Sequence, residues 1–465
     1  MRNLFRVLLI LSVSGLHGQG YQALHGSPFA GSTAVFNNPA ASLHSAYRWD
    51  FTLFSLQAKV SSNSPYLNHF SIRHQDSAYL TMKNDLASKF LHGNMDVSLF
   101  TLSYRPDKKQ AFSIGGRLRG YVHAKTAPFV YNDSIHSLHD FLVYNEHTPY
   151  LDGFMTHAGW IELDLNYSRL LWENSHASLS GGITLQIMKG ISGFYTRLNK
   201  ISYLETKSAN DTSFYLTGGS GEAAYGTTYA QNSWKDFLNQ AHTGLGFSLG
   251  VEYLSYLDDR SDGLSHNNLN YDWKIGASIM DIGANRFTPN GNSSRFSDPD
   301  PTIPDNVLDQ KLNNPQNAQD LKDSLNSIFA STSTITDPFK IGLPTRLVLN
   351  IDKNLGNHFY VNGEMSLNFY STSSYRRLNT RELNLLTITP RWETIAWGAY
   401  LPVQYNTQGQ LWIGAAVKLG PLVVGLHNIG IFARNPSING GGYLLLSIHP
   451  FNKEKVISHL DCTAP

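Results

Sequence analysis

Segments of roughly ten residues with alternating apolar and polar side chains recur along the whole chain, and this pattern limits its fold more than any other feature. In residues 161–168 (IELDLNYS), every second residue is apolar, and the residues between them are Glu, Asp, Asn and Ser. Residues 245–253 and 411–419 show the same period of two. Successive side chains of a strand point to opposite faces, so each segment predicts a β-strand with one apolar face.

The length of these segments distinguishes two classes of β-protein. The strands of a soluble sandwich also alternate, but they usually contain about five or six residues, whereas a tilted membrane-spanning strand needs about nine to eleven. Aromatic residues that include Tyr167, Tyr253 and Phe359 lie towards the ends of the segments, as in the aromatic girdles of membrane barrels. The sequence therefore favours an all-β fold, a transmembrane antiparallel β-barrel.

The alternating segments predict about fourteen strands. We place them at 48–58, 95–105, 110–121, 159–170, 176–189, 242–256, 270–280, 344–353, 358–370, 382–391, 395–403, 410–419, 421–428 and 441–450. Most alternate connections are long, most clearly 59–94, 122–158, 190–241 and 281–343, and most of the intervening connections are short. The exceptions are 257–269, a long inner turn, and 405–409, a short outer loop. Long outer loops and short periplasmic turns are typical of outer-membrane barrels, so we assign these four connections to the outer face and residues 48–450 to the barrel.

One long connection contains a helical pattern. Within residues 281–343, Leu321, Leu325 and Phe329 recur at helical spacing, and Asn317 or Asp320 is suited to cap the first turn. The pattern predicts a short amphipathic helix that packs over the mouth of the barrel, and a helix that binds a partner is the alternative.

The composition excludes several other classes of protein. Lys and Arg number 36 against 35 Asp and Glu, and this net charge of +1 gives no electrostatic footprint for nucleic acid. The mean hydropathy is −0.26, and no apolar run approaches the roughly 18 residues of a membrane-spanning helix, which excludes a helical membrane bundle. The single cysteine, Cys462, excludes a disulfide framework and a Cys-based metal site.

The first 18 residues have the pattern of a secretory signal peptide. Arg2 and Arg6 supply a basic start, residues 7–13 (VLLILSV) form an apolar run, and cleavage is expected near Gly18. No cysteine lies near the end of this run, so the expected start of the mature chain has no residue to carry an N-terminal lipid. We therefore predict export to the cell outer membrane, with residues 451–465 as a periplasmic C-terminal tail.

Residues 19–47 are unsuited to the barrel wall because small residues and turn formers interrupt them, among them the Asn38-Pro39 step. The elements Ala30-Gly31 and Asn37-Asn38-Pro39-Ala40-Ala41 resemble the N-terminal luminal hatch of the FadL-type outer-membrane transporters and of the PorV-type secretion barrels. The resemblance implies a plug inside the lumen, although Asn-Pro-Ala-Ala is also compatible with a plain turn at the start of a helix. The predicted plug residues are Gly26, Pro28, Gly31, Asn37, Asn38, Pro39 and Ala40.

Further motifs extend the resemblance over most of the chain. Residues 339–345 (FKIGLPT) are similar to the lead into a strand in the same families. Residues 389–392 (TPRW), 398–402 (GAYLP) and 417–421 (VKLGP) resemble an uncharacterised outer-membrane β-barrel family of Bacteroidota. The chain departs from FadL in lacking a match to its fatty-acid-contacting residues, so the resemblance does not imply fatty-acid transport.

Charged residues lie on the polar, lumen-facing side of several predicted strands. They are Arg117, Arg119, Glu162, Asp164, Glu252, Lys274, Glu364 and Lys418. Such residues either line a permeation path or form a cross-strand ionic lattice that fills the lumen, and the sequence leaves both open. The first four lie on two neighbouring strands, where we expect ion pairs that face the plug.

The chain shows no arrangement of residues that indicates catalysis or a cofactor. It has no Gly-x-Ser-x-Gly motif, and the histidines of its predicted outer loops lack the helical spacing of paired metal ligands. We therefore predict that the protein is not an enzyme and holds neither a metal nor another cofactor.

Two functional classes remain. The first is a FadL-like outer-membrane passage for a hydrophobic or small solute, gated by the N-terminal plug. The second is a non-transporting binding or assembly component, PorV-like, whose outer loops engage a secreted or surface protein. The expected partners are outer-membrane lipid together with a hydrophobic small molecule or such a protein, and not nucleic acid.

The loop assignment predicts opposite accessibility for two sites. An epitope at Asn292, in the 281–343 connection, should bind antibody on intact cells, whereas one at Lys108, in a predicted periplasmic turn, should bind only after permeabilisation. Immunofluorescence on intact and permeabilised cells measures the difference. Equal labelling of the two epitopes on intact cells would contradict the assignment.

Overall fold

The structure of the chain is a computed structural model. It describes residues 22–64, 66–68, 79–207, 212–227, 237–239, 241–256, 271–370, 377–432 and 439–450. The predicted signal peptide and the predicted C-terminal tail lie outside the described residues.

Fourteen antiparallel strands form a closed barrel, as the alternation predicted. The strands are β1 Trp49–Ser62, β2 Ala87–Tyr104, β3 Gln110–Phe129, β4 Leu151–Glu173, β5 Ala177–Lys207, β6 Thr243–Tyr256, β7 Tyr271–Phe287, β8 Arg346–Gly356, β9 Phe359–Asn368, β10 Leu385–Glu393, β11 Trp397–Tyr400 with Val403–Asn406, β12 Leu411–Ile413 with Ala415–Leu419, β13 Leu422–Leu426 and β14 Gly440–Ile448. Each pairs with its neighbours in sequence, and β14 pairs with β1, with Phe51 opposite Ile448. The ring therefore has no free sheet edge.

The two faces of the barrel wall have the polarity of a membrane protein. On β5, Ile183 and Leu185 are 46% and 43% exposed on the outer face, whereas the polar side chains of Thr184 and Gln186 are buried inside. The strands β4, β6 and β10 repeat this arrangement. A continuous apolar exterior around a polar interior is stable in lipid and unfavourable in water, so the barrel spans a membrane. Among the described residues, no helix is long and apolar enough to cross a membrane.

Several strands continue well past the ends that the sequence predicted. β2 begins at Ala87, β3 ends at Phe129, β4 begins at Leu151, and β5 ends at Lys207. The predicted bounds were wrong because, in this barrel, the strict alternation of polarity is confined to the part of each strand that contacts lipid. Beyond the membrane the backbone ladder continues, but side chains on both faces are in water or packed on other parts of the chain.

The extended strands carry a unit outside the membrane that has its own apolar core. Thr212–Thr227 pairs with the outer part of β5, and Ser294–Pro299 and Phe329–Thr334 continue the sheet. Three helices, α1 Leu138–Tyr144, α2 Asp305–Asn313 and α3 Ala318–Asn326, lie against it. Buried residues such as Leu308 and Ile328 form the core.

The helix predicted over 321–329 corresponds to α3, which begins at Ala318 and ends at Asn326. Phe329 lies in the strand that follows. The side chain of Asn317 caps α3 by accepting hydrogen bonds from the N–H groups of Gln319 and Asp320. Its apolar residues pack on the outer unit, beside the strand Phe329–Thr334. Four further short elements are the paired strands Tyr66–Asn68 and Tyr79–Thr81, the strand Phe339–Gly342, which pairs with the end of β7, and the 3-10 helix Ile429–Phe432.

The same substitution should have different costs in the two parts of β5. Leu185→Arg places a charge towards the middle of the lipid-facing stretch and should lower the free energy of unfolding by about 2–4 kcal/mol. Leu204→Arg lies on the same strand outside the membrane, where the leucine is 60% exposed, and should change this energy by no more than about 0.5 kcal/mol. Urea titration of folding into lipid vesicles measures both. Similar losses for the two variants would contradict the membrane boundary drawn here.

Candidate functional site

Residues 22–45, named here the lumen segment, fold into three short 3-10 helices, Gln22–Leu24, Pro28–Phe36 and Pro39–His44. The last two begin in the same way. Ser27 Oγ accepts the N–H of Phe29 (3.0 Å), and Asn38 Oδ1 accepts the N–H of Ala40 (3.0 Å). In each case a proline follows the capping residue, and its fixed φ suits the first helical position.

Polar contacts join the lumen segment to strands all round the barrel. They are Ser32 N–H to Asp50 Oδ1 of β1 (2.7 Å), Ser42 Oγ to Ser168 Oγ of β4 (2.7 Å), His44 Nδ1 to Glu252 Oε2 of β6 (2.6 Å), Asn37 Nδ2 to Glu364 Oε2 of β9 (2.8 Å) and Ser27 Oγ to Glu393 Oε2 of β10 (2.7 Å). A segment that touches the inner face of so many strands lies inside the lumen.

Gly31 is required by both the backbone and the wall. Its φ is +59°, a conformation that favours glycine, and a Cβ atom there would lie 2.3 Å from a carboxylate oxygen of Asp50. Gly26 has a φ of +73° and approaches the Asn362 side chain in the same way. The glycines of the predicted plug therefore allow the segment to lie directly on the wall.

Three wall glycines form a recess for the Asn38-Pro39 step. They are Gly182 on β5, Gly250 on β6 and Gly276 on β7, and a Cβ atom at any of them would lie within 2.8 Å of Asn38 or Pro39. Asn38 Nδ2 also donates to the carbonyl oxygen of Val251 (3.0 Å). This recess was not predicted from the sequence, although glycine on the inner face of three neighbouring strands was the available signal.

Next to the lumen segment, the predicted charges of β3 and β4 come together. Arg117 Nε lies 2.9 Å from Asp164 Oδ2, and its Nη2 lies 2.5 Å from Glu162 Oε1. Asp96 of β2 lies 3.1 Å from the same guanidinium. All four side chains are buried or nearly so, and the three carboxylates surround a single arginine.

Arg119 has a different partner, which the sequence analysis missed. Its two terminal nitrogens lie 2.8 Å from the two carboxylate oxygens of Asp281, which also accepts a hydrogen bond from Gln186 Nε2 (2.9 Å). Asp281 has a φ of +58° and lies where the register of β7 against β6 shifts, between Ile279 and Ile282. This bulge turns Asp281 inwards and breaks the alternation from which inner residues were inferred.

The buried arginines also contact the lumen segment. The Cζ atom of Arg117 lies 3.8 Å from the centre of the Phe36 ring. Arg346 of β8 donates to the carbonyl oxygen of Phe36 (3.1 Å) and pairs with Glu382 (2.9 Å). Arg346 thus binds the backbone of the lumen segment, and Arg117 contributes a cation–π contact.

The remaining predicted lumen charges lie on the other sides of the segment. Lys418 Nζ lies 3.2 Å from Tyr47 Oη and 4.5 Å from the Phe29 ring centre. Lys274, Glu252 and His44 line a cavity of about 30 Å³ between the segment and the wall, which is room for about one water molecule. The inner charges are therefore enclosed by the segment rather than exposed to a wet lumen.

The outer half of the lumen is filled by apolar side chains. Tyr121, Trp160 and Met188 of the wall pack against Phe339 and Ile341, which precede β8. Residues 377–384 also turn inwards: Leu378 packs on this cluster, and Glu382 accepts a hydrogen bond from the hydroxyl of Tyr121 (3.1 Å). Part of the connection between the predicted strands 358–370 and 382–391 thus contributes to the lumen, and its polar sequence gave no sign of this.

Fold and lumen together define a membrane-spanning, fourteen-stranded β-barrel whose interior is occupied by its own N-terminal segment. Residues 39–426 match the family of unknown function DUF5723, and the chain belongs to that family. No curated protein matches the chain. In the part of the chain that the structure describes, no group of three or more His, Cys, Asp or Glu residues is arranged to hold a metal ion.

Solved barrels of the FadL family are similar in fold at low identity. A deletion mutant of TodX, described as a monoaromatic hydrocarbon channel, is 10% identical, with a TM-score of 0.42 over 93% of this chain and 98% of that one. A FadL homologue of Pseudomonas aeruginosa is 11% identical, with a TM-score of 0.42 over 91% and 95% of the two chains. The toluene transporter TbuX of Ralstonia pickettii is 9% identical, with a TM-score of 0.41 over 90% and 94%.

Loss of the buried Arg119–Asp281 pair should cost far more than loss of an exposed pair. Arg119→Met leaves the Asp281 carboxylate buried without its main partner and should reduce the free energy of unfolding by about 3–5 kcal/mol. Arg295→Met removes the exposed partner of Glu222 outside the membrane and should cost less than about 1 kcal/mol. Denaturant titration in detergent, followed by the heat-modifiable shift on a gel, measures both. Equal costs would show that the Asp281 site is hydrated.

Proposed function

We propose that the protein is an outer-membrane channel for small solutes, closed by its lumen segment. The observation that carries this proposal is the way in which the segment is held. Its polar contacts with Asp50, Ser168, Glu252, Glu364 and Glu393 run from side chain to side chain or from side chain to backbone. The segment is thus bound to a wall that is already complete, and its release leaves every wall strand paired.

The outer membrane is the location that best suits these features. The chain begins with the pattern of an export signal, and its spanning elements are strands rather than helices. Proteins of this kind are typical of outer membranes, where lipid contacts the apolar exterior. We place the cleavage site of the signal near Gly18.

The candidates for passage are hydrophobic molecules and other small solutes. The apolar cluster around Tyr121, Trp160 and Phe339 lies at the outer half of the lumen, where an incoming molecule would meet it first. Such a surface favours binding of apolar molecules through removal of apolar area from water. Entry beyond the cluster requires displacement of the lumen segment.

A binding or assembly role is the second candidate, and the unit outside the membrane favours it. That unit has its own core, built around Phe296, Leu308 and Ile328, and three helices beyond the extended strands. Closing a barrel does not require such a unit. A protein that acts only through it would bind a secreted or surface partner and would pass no solute.

Removal of the lumen segment tests the channel function. Deletion of Gly26–Ala41 should leave a folded, heat-modifiable barrel whose single-channel conductance in a planar bilayer exceeds that of the intact protein, because the polar interior fills with water. A folded deletion variant with unchanged conductance would contradict the channel proposal and favour the binding role.

A reversible crosslink supplies the matched control. Ser42 Oγ and Ser168 Oγ lie 2.7 Å apart, so Ser42→Cys with Ser168→Cys, in a Cys462→Ser background, should tie the segment to β4 on oxidation. The oxidised protein should show fewer openings than the same protein after reduction. Identical recordings in the two states would show that the segment does not move during conduction.

A further inference from the structure

The polar side chains of the lumen are not equally well bonded on all sides. Around Arg117 and Arg119, each buried charge has a partner. On the side formed by β1, β2, β12 and the end of β13, five buried residues meet, named here the Lys59 cluster. They are Gln57, Lys59, Asn94, Trp412 and His427, each no more than 3% exposed.

Strand register and ring contacts place the members of the Lys59 cluster together. Lys59 lies directly opposite Asn94 in the β1–β2 ladder, and its Nζ lies 6.0 Å from the Trp412 ring centre. Gln57 lies two residues before Lys59 and opposite Tyr443 of β14. The ring centre of Tyr443 lies 5.0 Å from that of His427.

Four of these side chains have polar atoms without partners. Both amide atoms of Gln57, both amide atoms of Asn94, both ring nitrogens of His427 and Nε1 of Trp412 are buried and have no hydrogen-bond partner among the described residues. Buried polar groups are nearly always bonded, so such a concentration indicates groups that bond to something else in another state of the protein. Asp96 does not satisfy Gln57, which it faces in the ladder, because Arg117 engages it (3.1 Å).

The start of the lumen segment packs beside this cluster. Ala23 and Leu24 pack in one apolar group with Tyr443, the residue opposite Gln57. Movement of the segment therefore admits a solute to the Lys59 cluster.

The unpartnered atoms define the chemistry of that solute. Each amide offers a donor and an acceptor, the imidazole offers both, and the indole offers a donor. A hydrocarbon uses none of these atoms, and a simple anion uses only the donors. A hydroxyl group donates and accepts at one atom, so neighbouring hydroxyls satisfy an amide completely. We propose that the Lys59 cluster binds a small, hydroxyl-rich, sugar-like solute on its way through the lumen, a proposal that rests on the channel function.

Two solutes of similar size distinguish this chemistry. Arabinose carries several hydroxyl groups, and triethylene glycol dimethyl ether carries only acceptors. Swelling of liposomes that contain the full-length protein measures the influx of each, and the ratio of arabinose to ether influx is the selectivity. We expect a ratio well above that of liposomes with a non-selective porin.

Two identical substitutions on opposite sides of the lumen give the matched test. Asn94→Leu should lower the selectivity by about fivefold, which corresponds to one neutral hydrogen bond. Asn285→Leu should leave the selectivity unchanged, since Asn285 is also buried but lies outside the Lys59 cluster. Its Nδ2 lies 3.7 Å from Sδ of Met188, a member of the apolar cluster. If Asn94→Leu fails to fold, Gln57→Met removes the neighbouring amide with the same expected loss.

The outcomes separate this proposal from the channel function. A selectivity that is unchanged in Asn94→Leu or Gln57→Met, or equal influx of both solutes, would overturn the sugar-like ligand while the channel stands. No influx of either solute, through the full chain or through the variant without Gly26–Ala41, would overturn the channel and this proposal together.

Discussion

Every part of this structure depends on the pairing of backbone groups in lipid, where an unpaired N–H or C=O cannot turn to water. Pairing of β14 with β1 meets that requirement and fixes the barrel at fourteen strands. The apolar faces of the strands must point to lipid, so the polar faces of all fourteen point into one enclosed space. The chemistry of the lumen follows from the closure of the wall.

A space that collects charged side chains must also satisfy them. Part of that need is met across the wall, by pairs such as Arg119–Asp281. The rest is met by the lumen segment, which binds Glu252, Glu364 and Glu393. The residues that hold the segment are thus the residues that would line a passage in its absence. Occupation and passage are alternative uses of the same polar surface.

The sequence predicts those parts of the fold that lipid or water enforces residue by residue. Alternation located the fourteen strands, and the charges of Arg117 and Glu162 were placed on facing strands by register alone. It could not show Asp281, because a bulge shifts the period of β7 by an amount that no local pattern records. It could not show that residues 377–384 turn inwards, because a polar connection fits water and a polar lumen equally well. The unpartnered amide of Gln57 became visible only when its neighbours were in place.

The recess of Gly182, Gly250 and Gly276 has a consequence for the order of assembly. Its three glycines lie on β5, β6 and β7, which are adjacent, so the recess exists as soon as these strands pair. It is then open to one side of a curved sheet, and the Asn38-Pro39 step can settle there before β14 reaches β1. In that order of assembly, the final pairing of the ring encloses a segment that has already docked, and no chain has to be threaded through a finished pore.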